Sequence, residues 1–336
     1  THAALAATVQ ALNEVGAEAA TMQPHRDLTV GFVSDDYLTE YRPPDDAVTA
    51  AVHADRATFR GLGARQILAR ALVLGGFGLD AVDLGDHEDL DRTDDQPDQG
   101  DRPRRLSVEE HPVLVVAVSH HLSAAVQRTL ADYVRAGGRL LLTGALPTRD
   151  AIGEPCTVLA DALGLRVNGS YADQVLEDGH PRPWFTTVRL EPAVAGPRPE
   201  VRVSGAQTFD LGAADRAVVL VREVTGNQAC AVEVSAGEGR AIVLACDYPA
   251  DLAVYPALVG RLGVRPRWRT DAIDPGLVIA ALADPSTGAE LVHLLNVAPY
   301  PLTFTLWRDE RVVTPEPLTL PARGAELLRL PGQAGI

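Results

Sequence analysis

The sequence contains few cysteines, few aromatic residues and little positive charge. Its 336 residues include three cysteines, and aromatic residues make up 5% of the chain. Thirty Lys and Arg residues stand against 45 Asp and Glu residues, which gives a formal net charge of −15. Nucleic acids and anionic membranes attract basic surfaces, so this charge argues against both as partners.

The cysteines and the hydrophobic pattern exclude two further classes of protein. Cys156, Cys230 and Cys246 are odd in number, are widely spaced and form no CxxC pair. We therefore expect buried free thiols rather than a disulfide framework. No run of 18 apolar residues occurs, and residues 1–23 lack a signal-peptide pattern, so no membrane helix is expected. These absences favour a cytoplasmic protein.

Motifs that bind nucleotides or calcium are also missing. The first predicted strand is not followed by GxGxxG, and GxxxxGK[ST] occurs nowhere. The acidic stretch 86–105 has no register with glycine at the sixth position and glutamate at the twelfth, which an EF-hand loop needs. We interpret this stretch as a solvated loop, and we expect neither a cofactor nor a metal.

The chain does contain an alternation of short apolar runs and amphipathic segments. Strands are predicted at LTVGFVS (28–34), LDAVDLG (79–85), HPVLVVAVS (111–119) and RLLLTG (139–144). Helices are predicted at 45–74, at 124–136 after the N-cap Ser123, and at 154–163. This alternation predicts an α/β domain with a mostly parallel sheet.

The second half of the chain is richer in strand patterns. Residues 165–246 predict antiparallel additions to the sheet, ending with RAIVLA (240–245) returning to it. The last 70 or so residues alternate short strands with turns, which predicts a small all-β sandwich. The predicted divisions are a terminal helix (1–27), an α/β domain (28–265) and a sandwich domain (266–336).

The terminal helix has an apolar stripe with no evident cover. In HAALAATVQALNEVGAEAA (2–20), apolar groups recur near helical spacing at Ala4, Leu5, Thr8 (through its methyl group), Leu12 and Val15. An exposed stripe of this kind needs a surface to pack against.

Open parallel sheets bind ligands at the carboxyl ends of their strands. The third strand ends in AVSHH (117–121), where a nucleophile elbow would need small residues on both sides of Ser119. His121 occupies one of those positions. We interpret Ser119 as a strand-end serine beside solvent-facing histidines, and the adjacent histidines lack a third metal ligand. A hydrolase that uses Ser119 or Cys156 is a further alternative.

Two segments have the composition of a sugar-binding surface. The loop DDYLTEYRPP (35–44) mixes acids with tyrosines, and Trp184 is followed by Phe185. Ordinary surface loops share this composition. The candidate residues at a substrate entrance are Asp35, Tyr37, Glu40, Tyr41 and Trp184.

The segment HPVLVVAVSHHLSAAVQRTLADYVRAGGRLLLTG (111–144) carries a more specific pattern. Its ordered pairs are Leu122-Ser123, Tyr133-Val134, Gly137-Gly138 and Thr143-Gly144. This order resembles the trimerisation domain of bacterial β-galactosidases of glycoside hydrolase families 42 and 35. The flanks 63–84 and 237–249 are similar to its neighbouring segments, and 291–330 is similar to the small C-terminal β domain. The resemblance covers about residues 25–330.

The resemblance implies a flavodoxin-like, class I amidotransferase-like domain followed by a small β-sandwich. It implies a non-catalytic region that promotes oligomerisation and shapes the active site of a β-galactosidase-like glycoside hydrolase. In that family a preceding (β/α)8 barrel carries both catalytic carboxylates, and residues 1–27 resemble its last helix. The barrel has no counterpart in this sequence, so we assign no catalytic residue and leave open whether the chain is an enzyme.

The expected partners follow from the same resemblance. They are further copies of the chain, with a trimer as the expected form, the catalytic barrel and, indirectly, a galactoside. The competing hypothesis is a free-standing carbohydrate-binding or sensing protein on the same fold, which would bind galactosides without a barrel.

Overall fold

A computed structural model describes most of the chain. The described residues are 18–33, 61–85, 106–171, 174–177, 180–183, 186–192, 200–203, 205–211, 217–246, 248–249, 251–271 and 273–332, with Val9, Asn13, Gly16 and Val194. The chain forms two compact units. The larger unit comprises Thr29–Leu68 and Ala81–Gly263, and the smaller comprises Thr1–Leu28, Ala69–Asp80 and Val264–Ile336.

Strands outnumber helices in the described residues. In chain order the strands are β1 (Gln23–Pro24), β2 (Leu28–Phe32), β3 (Leu79–Asp83), β4 (Val113–Val118), β5 (Arg139–Gly144), β6 (Arg166–Tyr171), β7 (Gln174–Glu177), β8 (His180–Pro183), β9 (Thr186–Leu190), β10 (Val201–Val203), β11 (Ala206–Asp210), β12 (Val218–Glu223), β13 (Ala229–Ala236), β14 (Gly239–Leu244), β15 (Trp268–Thr270), β16 (Leu277–Ala283), β17 (Glu290–Asn296), β18 (Leu302–Phe304), β19 (Leu306–Arg308), β20 (Arg311–Val312), β21 (Leu318–Leu320) and β22 (Ala325–Leu330). The helices that lie wholly within these residues are α1 (Gly61–Leu74), α2 (Ala124–Arg135), α3 (Val158–Ala162) and α4 (Val254–Arg261).

An eleven-stranded mixed sheet dominates the larger unit. Its order is β10-β9-β12-β13-β14-β5-β4-β2-β3, and β11 pairs with both β13 and β6. The pairings β14–β5, β5–β4 and β4–β2 are parallel, whereas β9, β12 and β13 pair antiparallel with their neighbours. Part of the prediction is therefore confirmed: an α/β region with parallel strands exists, but the sheet as a whole is mixed.

The mixed character has a local cause. Only Gly237 and Glu238 connect β13 to β14, and a connection that short joins antiparallel strands, because a parallel crossover needs a dozen or more residues. Residues 240–245 then return to the sheet, since β14 pairs antiparallel with β13 and parallel with β5. This confirms the predicted antiparallel additions that end at this returning strand.

Local signals set the bounds of the central helix. Ser123 Oγ accepts a hydrogen bond from Val126 N at 3.2 Å, which confirms the predicted N-cap. The helix buries Val126, Leu130 and Val134 in the core formed with β4 and β5. It ends where Gly137 takes a positive φ of 105°.

The prediction for α3 was too long. The predicted helix began near residue 154, but α3 begins at Val158. The preceding residues bond to the loop after β5 instead: Glu154 O accepts from Asp150 N at 2.8 Å, and Cys156 N donates to Thr148 O at 2.9 Å. The predicted helix 45–74 is described only from Gly61 onward, because residues 45–60 lie outside the described part.

The smaller unit contains antiparallel sheets around a separate core. One sheet has the order β1-β16-β17-β22, a second has β15-β19-β20, and β18 pairs with β21. Their shared core consists of Trp268, Leu277, Val292, Leu294, Leu302, Phe304, Leu306 and Leu320. This confirms the all-β character predicted for the end of the chain. No helix among the described residues is long and apolar enough to cross a membrane.

Candidate functional site

The carboxyl end of β4 is the place where the fold would position catalytic groups. Ser119, His120 and His121 follow this strand, and they are 6%, 8% and 1% exposed. The interpretation of the histidines as solvent-facing is therefore wrong. The loop after β5 covers them: His120 O accepts from the N–H groups of Thr148 and Arg149, both at 3.0 Å. His121 Nδ1 also lies 3.3 Å from Asp150 O.

The hydroxyl of Ser119 closes a turn. It donates to His121 O at 3.1 Å and accepts from His121 N at 3.2 Å. A nucleophilic serine must instead pass its proton to a positioned base. A backbone carbonyl cannot serve as that base, so this geometry supports a structural role for Ser119.

Two buried amide side chains complete this edge of the sheet, and no sequence pattern indicated them. Gln127 is 0% exposed, and its Nε2 donates to Leu122 O at 2.9 Å and Arg149 O at 3.2 Å. Gln207 is 2% exposed, and it both donates to Leu146 O at 3.1 Å and accepts from Leu146 N at 2.7 Å. Each glutamine stands beside apolar residues in the sequence, but a glutamine on the protein surface can have the same neighbours. Both amides satisfy backbone groups of the loops that cross the strand ends.

The cysteines differ in burial. None of the three forms a disulfide, as predicted. Cys230 and Cys246 are buried, whereas Cys156 is half-buried at the entrance to α3. Its sequence neighbour Thr157 is the N-cap of α3, and its Oγ1 donates to the Asp161 side chain at 2.8 Å rather than accepting from a backbone N–H of the helix. Burial as a structural thiol is thus confirmed for two of the three.

The signature pairs of residues 111–144 have packing roles. Tyr133 is 2% exposed, and its hydroxyl donates to His111 O at 2.7 Å, just before β4. Burial raises the pKa of Tyr133, so it stays a neutral donor. Gly138 lies against the Tyr133 ring, where an added Cβ would come within 2.5 Å of ring carbons. The motif therefore fixes α2 against the starts of β4 and β5.

Gly144 closes the other end of the motif. It has a φ of 96°, and a Cβ at this position would lie 2.4 Å from Val118 O. Only glycine fits a backbone approach this close at a positive φ. The carboxyl ends of β4 and β5 are thus held together by a close backbone approach.

The remaining candidate residues cannot be placed. Asp35, Tyr37, Glu40, Tyr41 and Trp184 all lie outside the described residues. Among the residues that are described, no group of three or more His, Cys, Asp or Glu side chains is arranged to hold a metal ion.

The smaller unit contains a pocket of about 300 Å³ that the sequence did not suggest. Its lining is largely apolar and includes Phe77, Trp268 and residues 278–282 of β16. His25 is its titratable lining residue, and its Nε2 lies 2.8 Å from Asp27 Oδ1. Asp27 Oδ2 also accepts from Gly78 N at 2.7 Å. The Asp27 carboxylate therefore connects two lining residues of the pocket, His25 and Gly78.

Comparisons with known proteins agree with the signature. Residues 102–181 match the family model described as GLMA-like, second domain. The fold is similar to that of the β-galactosidase from Bacillus circulans sp. alkalophilus, with a TM-score of 0.63 and 15% identity over 92% of this chain and 42% of that one. No curated protein sequence matches the chain significantly.

Two further solved structures share the fold. A catalytic mutant of Gan42B, a GH42 β-galactosidase from G. stearothermophilus, gives a TM-score of 0.59 and 12% identity over 91% of this chain and 40% of that one. The α-L-fucosidase isoenzyme 2 from Paenibacillus thiaminolyticus gives 0.56 and 12% over 96% and 51%. The predicted resemblance to GH42 β-galactosidases is thus confirmed. The chain spans about two fifths of the length of the β-galactosidases that it resembles.

Proposed function

We propose that this chain is a non-catalytic region of a β-galactosidase-like glycoside hydrolase that promotes oligomerisation and shapes the active site. The observation that carries this proposal is the likeness to GH42 β-galactosidases over more than nine tenths of the chain. The carboxyl end of β4 supports it, because Ser119 bonds only to the backbone of His121 in the described contacts.

In this proposal residues 28–265 form the amidotransferase-like trimerisation domain and residues 266–336 the small β-sandwich. The parallel strands β2, β4, β5 and β14 would be its flavodoxin-like centre, and three parallel pairings support this. The helix within residues 1–27 would be the last helix of a catalytic (β/α)8 barrel. We also propose a cytoplasmic location, which the absence of disulfides among the three cysteines supports.

The entrance to the active site is the second part of the proposal. The loop 35–44, with Asp35, Tyr37, Glu40 and Tyr41, and the side chain of Trp184 would border the galactoside site of the barrel. The likeness to an α-L-fucosidase indicates that this fold accompanies more than one glycosidase activity. The choice of a galactoside therefore rests on the resemblance to the β-galactosidases, and fold alone does not specify function.

Light scattering of the purified chain tests the assembly role. We expect a mass three times the 35.7 kDa of one chain and no hydrolysis of nitrophenyl galactosides. A monomer at micromolar concentration would contradict the oligomerisation role. Hydrolysis by the parent chain would contradict the non-catalytic assignment, and its loss in Ser119→Ala or Cys156→Ala would support a hydrolase that uses that residue. Calorimetric binding of galactose by the chain alone would instead support the free-standing binding protein.

A further inference from the structure

The pocket of the smaller unit has the size and the lining of a small-molecule site. Its volume of about 300 Å³ lies at the lower end of the range of about 300–1,000 Å³ that is typical of ligand pockets. Its walls come from segments that are distant in sequence, namely residues 24–25, Val73 with residues 76–79, Trp268, and β16. Aliphatic and aromatic groups make up most of this lining, so a ligand that fills the pocket needs an apolar body.

Only two side chains of the lining contain a polar atom, those of His25 and Trp268. The Nε1 atom of Trp268 is buried from solvent, whereas the His25 side chain is 20% exposed. The imidazole is therefore the polar side chain that a ligand can reach. A sugar carries a hydroxyl group on most of its carbon atoms, and burial of such groups without partners is unfavourable. The lining thus favours an apolar molecule with a single polar group over a galactoside.

The carboxylate of Asp27 fixes the orientation of the His25 ring. The Asp27 side chain is 7% exposed, and its Oδ1 lies 2.8 Å from His25 Nε2. The same carboxylate accepts from the backbone N–H groups of Gly78 at 2.7 Å and Arg267 at 3.3 Å. Asp27 is held by these bonds and is not a lining residue of the pocket. Nε2 of His25 is therefore occupied by a buried partner and is not the atom that a ligand would bind.

The hydrogen bond at Nε2 determines what Nδ1 of His25 offers to a ligand. An ionised carboxylate only accepts hydrogen bonds, so Nε2 of the neutral ring carries the proton and Nδ1 has a free lone pair. Within the described part of the chain, Nδ1 has no hydrogen-bond partner. The polar group of a ligand in this pocket is therefore a hydrogen-bond donor, and an uncharged hydroxyl group meets this requirement.

We propose that this pocket binds a small aromatic alcohol, whose hydroxyl group donates to Nδ1 of His25. The aromatic body packs against Phe77, Trp268 and the apolar residues of β16. Two aromatic side chains in the lining favour an aromatic ligand, because aromatic rings attract one another beyond the gain from area burial. This binding site does not depend on the proposed oligomerisation role or on the relationship to glycoside hydrolases.

Ligand-observed NMR of the full chain tests this proposal with 2-naphthol and its near isostere 2-methylnaphthalene, in which a methyl group replaces the hydroxyl. We expect both to bind saturably and 2-naphthol to bind about three- to tenfold more tightly, the factor that one net hydrogen bond contributes. His25→Phe keeps a ring but removes the acceptor, so the two ligands should then bind equally. A preference for 2-naphthol that persists in His25→Phe, or tighter binding of the anion 2-naphthoate to the parent, overturns the proposal.

A second pair of variants locates the ligand while His25 and Asp27 stay in place. Ala280 is exposed and lines the pocket, whereas Ala322 is exposed in a turn of the same unit and lies outside the lining. Ala280→Trp should weaken the binding of 2-naphthol at least about tenfold, because the indole takes up pocket volume. Ala322→Trp should bind 2-naphthol like the parent. Equal affinities in the two variants, or displacement of 2-naphthol by galactose, contradicts an aromatic alcohol site in this pocket.

Discussion

Glu290 is a carboxylate buried between two guanidinium groups. It is 2% exposed, with Oε1 2.7 Å from Arg267 Nη2 and Oε2 2.9 Å from Arg308 Nε. The Arg308 contact is close but lies outside hydrogen-bonding geometry, so Coulomb attraction is its main contribution. Arg308 also lies over the Trp268 ring, 6.0 Å from its centroid. Charge balance inside the smaller unit therefore depends on one side chain.

Replacing this carboxylate has a matched control in the same unit. Glu290→Gln leaves the partly buried Arg267 and Arg308 without their counter-charge and should destabilise the fold by up to about 3–5 kcal/mol. Glu310 also faces two arginines, Arg265 and Arg269, each at 3.3 Å, but its side chain is 72% exposed. Glu310→Gln should change stability by less than about 1 kcal/mol. Denaturant unfolding of both variants measures the difference, and equal losses would refute the argument from burial.

At the scale of secondary structure, two glycines differ in whether the structure leaves room for a side chain. Gly144 ends β5 at a φ of 96° with Val118 O in the space of a Cβ. Gly260 is exposed in the last turn of α4, and a Cβ there meets nothing within 4 Å. Gly144→Ala should therefore destabilise by at least about 1–3 kcal/mol. Gly260→Ala should stabilise by up to about 1 kcal/mol, because alanine is the better helix former.

The sign of each effect decides this prediction. Melting temperatures of the two single variants should shift in opposite directions relative to the parent. A Gly144→Ala variant that melts at or above the parent temperature would mean that the close approach of β5 to β4 is not needed. A loss of stability in Gly260→Ala would mean that α4 has a packing constraint that its exposure does not show.

Elements with strong local signals were predicted well. The predicted helix 124–136 differs from α2 by one residue, because an N-cap serine and a paired glycine stop mark its ends in the sequence. The predicted strands around β4 and β5 also match the structure. A continuous apolar run of strand length is typical of a strand that is buried on both faces of a sheet. The all-β end of the chain followed from turn residues between short apolar runs.

Features that depend on distant segments were not visible in the sequence. The burial of His120 and His121 requires the loop after β5, which lies nearly thirty residues further along the chain. The late start of α3 has the same cause, because Cys156 bonds to Thr148 rather than to the helix. The apolar stripe of residues 2–20 remains a prediction, because most of its residues lie outside the described part. The entrance residues remain a prediction.

At the scale of the whole molecule, ionised carboxylates make the stability of the fold depend on pH. The chain has a net charge of −15, and hydrogen bonds lower the pKa of Glu223 and of Asp284. The pKa of Glu223 is lowered despite its burial, because it accepts from Thr225 N, Gly226 N and Thr186 Oγ1. Such groups contribute stability that is present above the ordinary carboxylate pKa and lost as the pH falls below it.

His293 should cause an earlier loss of stability as the pH falls. Desolvation lowers its pKa below the ordinary value of 6.5, so the unfolded chain binds this proton at a higher pH than the folded chain does. The free energy of unfolding should therefore decrease from about pH 6.5 downward until the pKa of the folded state is reached. His293→Leu should remove this part of the slope, measured as urea unfolding between pH 8 and pH 5. At pH 8 the imidazole is neutral in both states, so the difference between parent and variant there provides the baseline. A variant that retains the full slope would show that protons bound at other groups, and not at His293, set the pH dependence of stability in this range.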